Sequence, residues 1–238
     1  MTADAASEPV PSLRRFAQRH ELTTTALCAQ IVADGEHSIS VRKPAVAADN
    51  LARIVGAMLR LANRSGFAGM TLRELATASG LSLGGLYAYI RSKDELAQIV
   101  QRQIGRTLHR VLDDTLAEVA GPRERLAAAV HAHIYVTEAL RDWFFFLYME
   151  AHHLAAPRRR EAMAMERASE TVLADIIRAG QAAGHYRALA PEPAAGLIKA
   201  MLQDWYLKRR KHSDRGLDVD AYAAMVIAAA EAHLTAEP

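Results

Sequence analysis

A serine lies between two glycines in the segment Gly80-Leu81-Ser82-Leu83-Gly84, the G-x-S-x-G spacing that holds the nucleophile of many hydrolases. In those enzymes a β-strand precedes the serine, because a strained strand-to-helix turn exposes its hydroxyl. Here the preceding residues have helical spacing, and no alternation of strands and helices surrounds them. The same segment suits the turn of a helix-turn-helix motif, with Gly80 reversing the chain and Ser82 capping the next helix. We therefore predict a turn, no catalytic residue and no enzyme.

A second group of residues has the side chains that bind metal ions. His131 and His133 are two residues apart, and adjacent His152 and His153 follow Glu150. On a helix, neither spacing places both rings on one face, and no pair of ligands lies four residues apart. We predict no metal site and no cofactor.

The elements around the turn are predicted to be helices. Thr71-Leu72-Arg73-Glu74 and Ser92-Lys93-Asp94-Glu95 both have the form of a capping box, in which a hydroxyl and a carboxylate satisfy the free amides of a helix start. The first box predicts a short helix to about residue 78. The second predicts a long helix that ends before Gly121-Pro122.

The rest of the chain also has the period of helices. Residues 12–43 read as a helical extension, 50–65 as an amphipathic helix closed by Gly66, and 82–90 as the helix after the turn. No convincing strand pattern appears, so the predicted fold class is all-α. Five further helices are expected at about 123–140, 142–154, 158–182, 191–212 and 218–235.

Composition narrows the class of protein. The 238 residues include one cysteine, Cys28, and no apolar run near the roughly 18 residues of a membrane span. Residues 1–11, rich in proline and small residues, are predicted to be a disordered tail. We expect a cytoplasmic protein without a membrane partner.

The charge is unevenly distributed around the predicted turn. The whole chain carries +2, but residues 42–106 contain ten Lys or Arg and four Asp or Glu, a net +6. A basic region on an otherwise acidic protein is typical of a surface that binds a polyanion such as DNA. A solvated basic face remains the alternative.

The order T-L-R-E-L-A, S-G-L-S, L-Y-A-Y-I and S-K-D-E-L resembles the DNA-binding signature of the tetracycline-repressor (TetR) family. The resemblance covers about Asn50 to Val100. It implies a dimeric transcriptional regulator whose C-terminal domain binds a small molecule that alters its affinity for an operator. The expected divisions are an extension at 1–44, a helix-turn-helix DNA-binding domain at 45–100, and a helical ligand-binding and dimerisation domain at 101–238.

The resemblance also implies roles for single residues. Tyr87, Tyr89 and Lys93 match positions that hold the phosphate backbone, and residues 81–88 match the recognition helix. This chain departs from the family at Leu83, where a polar residue is frequent, and at Gly85, where threonine is common. Apolar and backbone contacts are therefore expected to contribute to specificity. The candidate DNA-binding residues are Arg73, Ser82, Leu83, Gly84, Gly85, Tyr87, Tyr89 and Lys93.

The extension carries five basic residues and permits two hypotheses. It is either an arm that contacts the duplex beside the main site, or an extra helix pair that covers the DNA-binding head. The basic residues are Arg14, Arg15, Arg19, Arg42 and Lys43.

A ligand pocket is predicted among the C-terminal helices, where polar residues flank an apolar stripe and five aromatic residues share one short helix. Segments FFFLYMEAHHL and LIKAMLQDWYLKRRKH are similar to those of family members that respond to fatty acyl-coenzyme A. This similarity implies a hydrophobic effector, either an acyl thioester or another carboxylate-like metabolite, with basic residues near 158–160 or 208–211 for phosphates. The candidate ligand-binding residues are His133, Thr137, Trp143, Phe146, Met149, Arg158 and Trp205.

The last two helices are predicted to form a homodimer through a four-helix interface, with Leu197 and Met201 on one and Tyr222 and Val226 on the other. Two symmetric recognition helices predict a palindromic operator on double-stranded DNA. Two alternatives are an architectural DNA-binding protein without an effector and a helical serine esterase that uses Ser82.

Overall fold

A computed structural model describes residues 12–35, 38–150 and 156–235, with the side chains of 156–159 and 162 outside the description. The predicted tail at 1–11 also lies outside it. Among the described residues the chain is all-α, as the sequence predicts, and its one β-bridge joins Tyr186 and Thr235. The helices are α1 Leu13–Arg19, α2 Thr24–Asp34, α3 Pro44–Ser65, α4 Leu72–Ser79, α5 Leu83–Tyr87, α6 Lys93–Ala117, α7 Pro122–Ala139, α8 Arg141–Glu150, α9 Ala156–Ala182, α10 Pro191–Leu207, α11 Arg209–Asp214 and α12 Val219–Leu234.

Helices α3, α4 and α5, with the start of α6, form what we call the head. In α3 one face carries Leu51, Ile54, Val55 and Met58, and none of these side chains is exposed to solvent. Helix α4 packs against both α3 and α5. This buried stripe holds the two short helices in place, since five to eight residues form an unstable helix on their own.

Helices α6 to α10 and α12 form what we call the body. Helix α7 lies at its centre and packs against α6, α9, α10 and α12. Its apolar stripe, Leu126, Val130 and Ile134, is fully buried. Helix α6 belongs to both parts, because it begins in the head and crosses the predicted boundary at residue 100.

Three predicted helices differ from the structure. The helix predicted at 82–90 is shorter and ends at Tyr87. The first long helix begins at Pro44 instead of about Asn50, since proline is well suited to a first helical turn and Lys43 is extended. The predicted helix 191–212 is two helices, because Lys208 leaves the helical conformation at φ −119° and ψ 31°.

The extension folds onto the rest of the chain. Phe16 of α1 packs edge-to-face on Tyr135 of α7, with ring centroids 5.3 Å apart. Helix α2 packs along α3 and buries Leu27, Cys28 and Ile31. Burial raises the pKa of the Cys28 thiol to about 12, so it stays protonated at neutral pH. Among the described residues, no helix is both long and apolar enough to cross a membrane.

Candidate nucleic-acid interface and helical cavity

The turn between α4 and α5 has the geometry of a helix-turn-helix. Gly80 adopts the left-handed conformation at φ 70° and ψ 29°, which glycine tolerates best. The capping box at the start of α4 is complete: the amide of Glu74 donates to Thr71 Oγ1 at 3.2 Å, and the amide of Thr71 donates to Glu74 Oε2 at 2.8 Å. Arg53 of α3 also donates to the Gly80 carbonyl at 3.3 Å. The capping box therefore stabilises the start of α4, and Arg53 stabilises the turn at its end.

Ser82 caps the second helix of the motif. Its Oγ accepts a hydrogen bond from the amide of Gly85 at 3.0 Å. The element before Ser82 is helix α4, whereas a β-strand precedes the nucleophilic serine of the hydrolases that share the G-x-S-x-G spacing. Leu86 and Ile90 are fully buried beneath the helix and anchor it to the head.

The outer face of α5 is open to solvent. Ser82 and Gly84 are exposed, Leu83 and Gly85 are partly exposed, and the ring of Tyr87 is 52% exposed. A methyl group added at Gly84 would meet no atom within 4 Å. This face therefore allows close approach to the backbone, with the Tyr87 hydroxyl as its hydrogen-bond donor.

Tyr89 lies in the core of the head, contrary to its predicted place beside DNA. Its side chain is 3% exposed, and its hydroxyl accepts a hydrogen bond from Asn50 Nδ2 of α3 at 2.8 Å. Tyr87 is the last residue of α5 and Tyr89 follows the cap of that helix, Ala88, so the two side chains point to different sides. Tyr89 holds α3 against the end of α5.

Lys93, for which the resemblance implies a phosphate contact, has three hydrogen-bond partners within the chain. Its ammonium donates to the carbonyl oxygens of Phe67 at 2.9 Å, Ala68 at 2.6 Å and Met70 at 3.0 Å, and lies 5.2 Å from the centre of the Phe67 ring. An ammonium has three N–H groups, and all three are used. Lys93 therefore ties the start of α6 to the loop between α3 and α4.

Arg73 is exposed on α4, as a DNA-binding residue requires. It shares a shallow groove between α3 and α4 with Arg60 and Arg64. The groove is basic apart from Glu74, whose carboxylate caps its own helix start and has a lowered pKa because of that hydrogen bonding.

The extension divides between the two parts. Arg19 forms an ion pair with Glu118 on α6, so α1 is attached to the body. Near the C-terminal end of the extension, the amide of Ser40 donates to the carbonyl of Ala88 at 2.9 Å. This contact places the segment around Ser40 beside the end of α5. Arg42 and Lys43 follow immediately and are exposed. Helix α2 thus packs on the head, α1 packs on the body, and a basic segment precedes α3.

A cavity of about 140 Å³ lies between α6, α8, α9 and α10. Its apolar walls include Ile104 and Leu108 of α6, Phe144 and Leu147 of α8, and Met165 of α9. Gly105 gives Met165 room, since a Cβ there would stand 2.2 Å from the Met165 sulfur. The polar atoms in the wall come from Gln101, Tyr148, Glu166, Ser169, Lys199, Gln203 and Tyr206.

Most of the predicted ligand-binding residues lie elsewhere. Trp143 and Trp205 are buried, and their indole N–H groups donate to Thr24 Oγ1 at 3.0 Å and Glu138 Oε2 at 2.9 Å. Phe146 packs edge-to-face on Phe67 at 5.4 Å, between body and head. The cavity is instead lined by their neighbours in α8, because residues one position apart on a helix face different ways.

The remaining predictions for the ligand site have four outcomes. Thr137 is buried and its hydroxyl donates to the carbonyl of Ile134 at 3.0 Å, so it belongs to the core. Met149 is 50% exposed on the outer face of α8. The side chain of Arg158 lies outside the described residues. His133 is outside the lining but touches a lining residue, Lys199.

Lys199 is the most unusual group in the cavity wall. It is 6% exposed, and its Nζ lies 2.8 Å from His133 Nε2 and 2.8 Å from Ser169 Oγ. Burial lowers its pKa to about 8, against the opposite influence of Glu166 and Glu170. Burial, and then the charge of Lys199, hold the pKa of His133 well below its usual range. Lys199 was not among the ligand-binding residues predicted from the sequence, although a charged residue among the buried positions of α10 indicates a functional role.

The predicted dimer residues are split between an outer and an inner face. Leu197 is 59% exposed on α10 and Met201 is partly exposed. Tyr222 and Val226 of α12 are buried within the chain, and the Tyr222 hydroxyl donates to the carbonyl of Met201 at 2.7 Å. The exposed apolar residue of α12 is Met225, at 55%.

These features define a helix-turn-helix protein with a helical body, and two family models agree. The model described as bacterial regulatory proteins, tetR family, matches residues 54–100. The model described as tetracyclin repressor-like, C-terminal domain, matches residues 119–209. Together they cover more than half of the chain, which belongs to the TetR family of DNA-binding transcriptional regulators.

Individual proteins resemble the chain over most of its length. The HTH-type transcriptional regulator HbdR of Aromatoleum sp. (strain CIB) is 25% identical over 175 residues, which is 74% of this chain and 76% of HbdR. A tetR-family regulatory protein from Rhodococcus RHA1 has the same fold, with a TM-score of 0.72 at 21% identity over 79% of this chain and 98% of that one. AibR, solved with isovaleryl coenzyme A and operator DNA, has a TM-score of 0.65 at 21% identity over 75% of this chain and 96% of AibR.

Proposed function

We propose that the chain is a dimeric repressor that binds a palindromic operator through α5 and changes its operator affinity when a hydrophobic acyl compound enters the body cavity. The path of helix α6 is the main support for this proposal. Helix α6 begins in the head, where Lys93 holds the loop beneath α4, and passes three to four turns later along the cavity at Ile104, Gly105 and Leu108. A ligand that displaces α6 would therefore move the head, and a single helix supplies the coupling between the two sites that allostery requires.

The exposed face of α10 and α12 supports a dimer. Helices α10 and α12 pack against each other and leave Leu197 and Met225 exposed among alanines that include Ala200, Ala224 and Ala228. Small residues let helices approach closely, and two such helices from each subunit give a four-helix interface under two-fold symmetry. That symmetry would present two copies of α5 to successive turns of a duplex.

The cavity supports an acyl effector. Its walls are mostly apolar and a few polar groups converge on it, which is the usual make-up of a small-molecule site. AibR binds isovaleryl coenzyme A in a protein of the same fold. By analogy the occupant is an acyl thioester or a hydrophobic carboxylate.

Selection from a random DNA library tests the operator. The protein should enrich a palindrome whose half-sites are about one helical turn apart or slightly more, roughly 10 base pairs or more between centres. Enrichment of no sequence, with binding to all duplexes alike, would contradict the proposal and favour an architectural DNA-binding protein.

Charge placed on the outer face tests the dimer. The double variant Leu197→Glu/Met225→Glu should sediment as a monomer and lose most operator affinity, since each half-site alone binds weakly. Met149→Glu is the matched control, because Met149 is equally exposed but lies on α8. A double variant that still sediments as a dimer would exclude this interface.

A further inference from the structure

Lys199 places a positive charge inside the body, and no described acidic residue forms an ion pair with it. Its side chain is 6% exposed, yet among the described residues no carboxylate oxygen lies within ion-pair distance of its ammonium. The acidic groups that act on it electrostatically are Glu166, which also lines the cavity, and Glu170, both on α9. Glu166 Oε1 already receives the amide of Gln203 at 2.7 Å. A buried charge without a partner is costly, so such groups are usually paired or have a function.

The two neighbours of the ammonium are neutral acceptors. Ser169 Oγ donates its own proton to the carbonyl of Glu166 at 2.7 Å, so it accepts from Lys199. His133 has a strongly lowered pKa because it is buried beside Lys199, so its Nε2 also accepts. Two of the three N–H groups of Lys199 are therefore used within the chain. Since Lys199 lines the cavity, the third is available to an occupant.

The size of the cavity limits the occupant. A cavity of about 150 Å³ with apolar walls is large enough for benzene. The cavity here has about 140 Å³, with Ile104, Leu108, Phe144 and Leu147 in its walls. It suits an apolar body of about six carbons with one polar head at the Lys199 end.

We infer that the cavity binds a small apolar monocarboxylate, whose carboxylate accepts a hydrogen bond from Lys199 and supplies the missing negative charge. This inference rests on the proposed function and chooses between its two kinds of effector. The carbonyl of a thioester is neutral and would leave the ammonium uncompensated, whereas a carboxylate forms a charge-assisted hydrogen bond with it.

Calorimetry on the full chain tests the head group. The probes are straight, branched and aromatic monocarboxylates of four to eight carbons, benzoate among them, each paired with its primary amide. At least one carboxylate should bind, and its amide, which has the same shape without the charge, should bind at least tenfold more weakly. Binding of no carboxylate, or equal binding of acid and amide, overturns the inference.

Three variants separate charge from shape. Lys199→Met removes the charge and should lower affinity for the carboxylate at least tenfold while leaving the amide nearly unchanged. Gly105→Ala pushes Met165 and should weaken both probes alike, since the added Cβ would stand 2.2 Å from its sulfur. Arg215→Met is the control, because Arg215 is exposed at the end of α11 and outside the predicted ligand-binding residues. Unchanged carboxylate binding in Lys199→Met contradicts the inference.

The pH dependence gives a test that needs no variant. Carboxylate affinity in the wild-type chain should fall about tenfold for each pH unit above 8, as Lys199 loses its proton. The other titratable groups around the ammonium are His133 on α7, Tyr148 on α8, Glu166 and Glu170 on α9, and Tyr206 on α10. Burial raises the pKa of Tyr206 and lowers that of His133, so neither changes charge between pH 7 and 9. An affinity independent of pH would contradict a role for Lys199.

Failure of the inference can be distinguished from failure of the proposed function. Isovaleryl coenzyme A that binds and releases operator equally well in wild type and in Lys199→Met would refute the carboxylate and leave the ligand-responsive regulator intact. Absence of any selected operator would contradict the regulator itself, whatever the cavity binds.

Discussion

The head and the body arrange their polar side chains in opposite ways. In the head, the hydroxyls of Thr71, Ser82 and Ser92 each accept from an amide three residues further along the chain. In the body, Lys199 meets His133 and Ser169, which are 66 and 30 positions away. Local partners are determined by a short stretch of sequence, while distant partners depend on how whole helices pack. The caps and the turn of the head are therefore readable from the sequence, and the cavity is not.

Two lysines, the partly buried Lys93 and the buried Lys199, sharpen this comparison. Lys93 gives all three N–H groups to carbonyl oxygens and stabilises the chain around it. Lys199 has two neutral partners and a pKa lowered to about 8 by burial. We therefore expect Lys93 to serve structure and Lys199 to serve binding, and the predictions below test that division.

The largest expected effect is at the turn of the head. Gly80→Val forces a branched residue to φ 70° and directs its Cβ to 2.3 Å from Arg53 Nη2. The free energy of unfolding should fall by about 3 kcal/mol, and operator binding should be lost. Urea unfolding and fluorescence anisotropy with a labelled operator measure the two effects.

Gly84→Ala is the control for that substitution. Its Cβ meets open space and its φ is not positive, so stability should stay within about 0.5 kcal/mol of wild type. Operator affinity should still fall, because the added methyl group lies on the face that approaches DNA. Equal destabilisation by the two substitutions would contradict the assigned turn.

The next effect concerns the body and depends on pH. Lys199 has a pKa of about 8 in the folded chain and 10.5 when unfolded, so between these values the unfolded chain binds more protons. The free energy of unfolding of wild type, relative to Lys199→Met, should therefore rise by up to about 3 kcal/mol from pH 8 to pH 10.5. Denaturant unfolding of both proteins across this range measures it. A difference that stays constant, or that falls, would show that Lys199 is not a buried cation.

A smaller effect distinguishes the structural role expected of Lys93 from the DNA contact expected of Lys43. Lys93→Met should lower the free energy of unfolding by about 2 kcal/mol and leave the salt dependence of operator binding unchanged. Lys43→Met, at an exposed position beside the end of α5, should leave stability unchanged and reduce the slope of log affinity against log salt by about one. A reduced slope in Lys93→Met would show that Lys93 contacts a DNA phosphate, as predicted from the sequence.

The smallest effect distinguishes the two tyrosines. Tyr87→Phe should weaken operator binding by about 1 kcal/mol without changing stability, since its hydroxyl is on the exposed face. Tyr89→Phe should instead lower the free energy of unfolding by about 1 kcal/mol, because the amide of Asn50 loses its acceptor. For both variants, fluorescence anisotropy measures operator affinity and urea unfolding measures stability. If Tyr87→Phe lowered stability and Tyr89→Phe weakened operator binding, the roles assigned to the two tyrosines would be wrong.

The sequence was sufficient for the fold class and for the caps and turn of the head. Gly80, Ser82 and the box at Thr71 act within a few residues, and periodicity alone identified the buried stripe of α3. Periodicity did not reveal the break at Lys208, because the pattern continues through it.

The cavity could be predicted only in its general location. Phe146 and Trp143 are aromatic, but which neighbour faces a gap depends on the rotation of α8 against α6 and α9. One signal was present in the sequence: Lys199 is four residues after Ala195 and three before Leu202, both fully buried. A charged residue on a buried helix face indicates a functional site more specifically than aromatic content does.

The most direct test of the central claim, that this chain binds DNA through α5, is hydrogen–deuterium exchange of the wild-type protein with and without its selected operator. We expect slower exchange for residues 80–93 and 42–50 in the complex, with α7 unchanged. Unaltered exchange across residues 80–93, in a complex shown by anisotropy to be saturated, would contradict it.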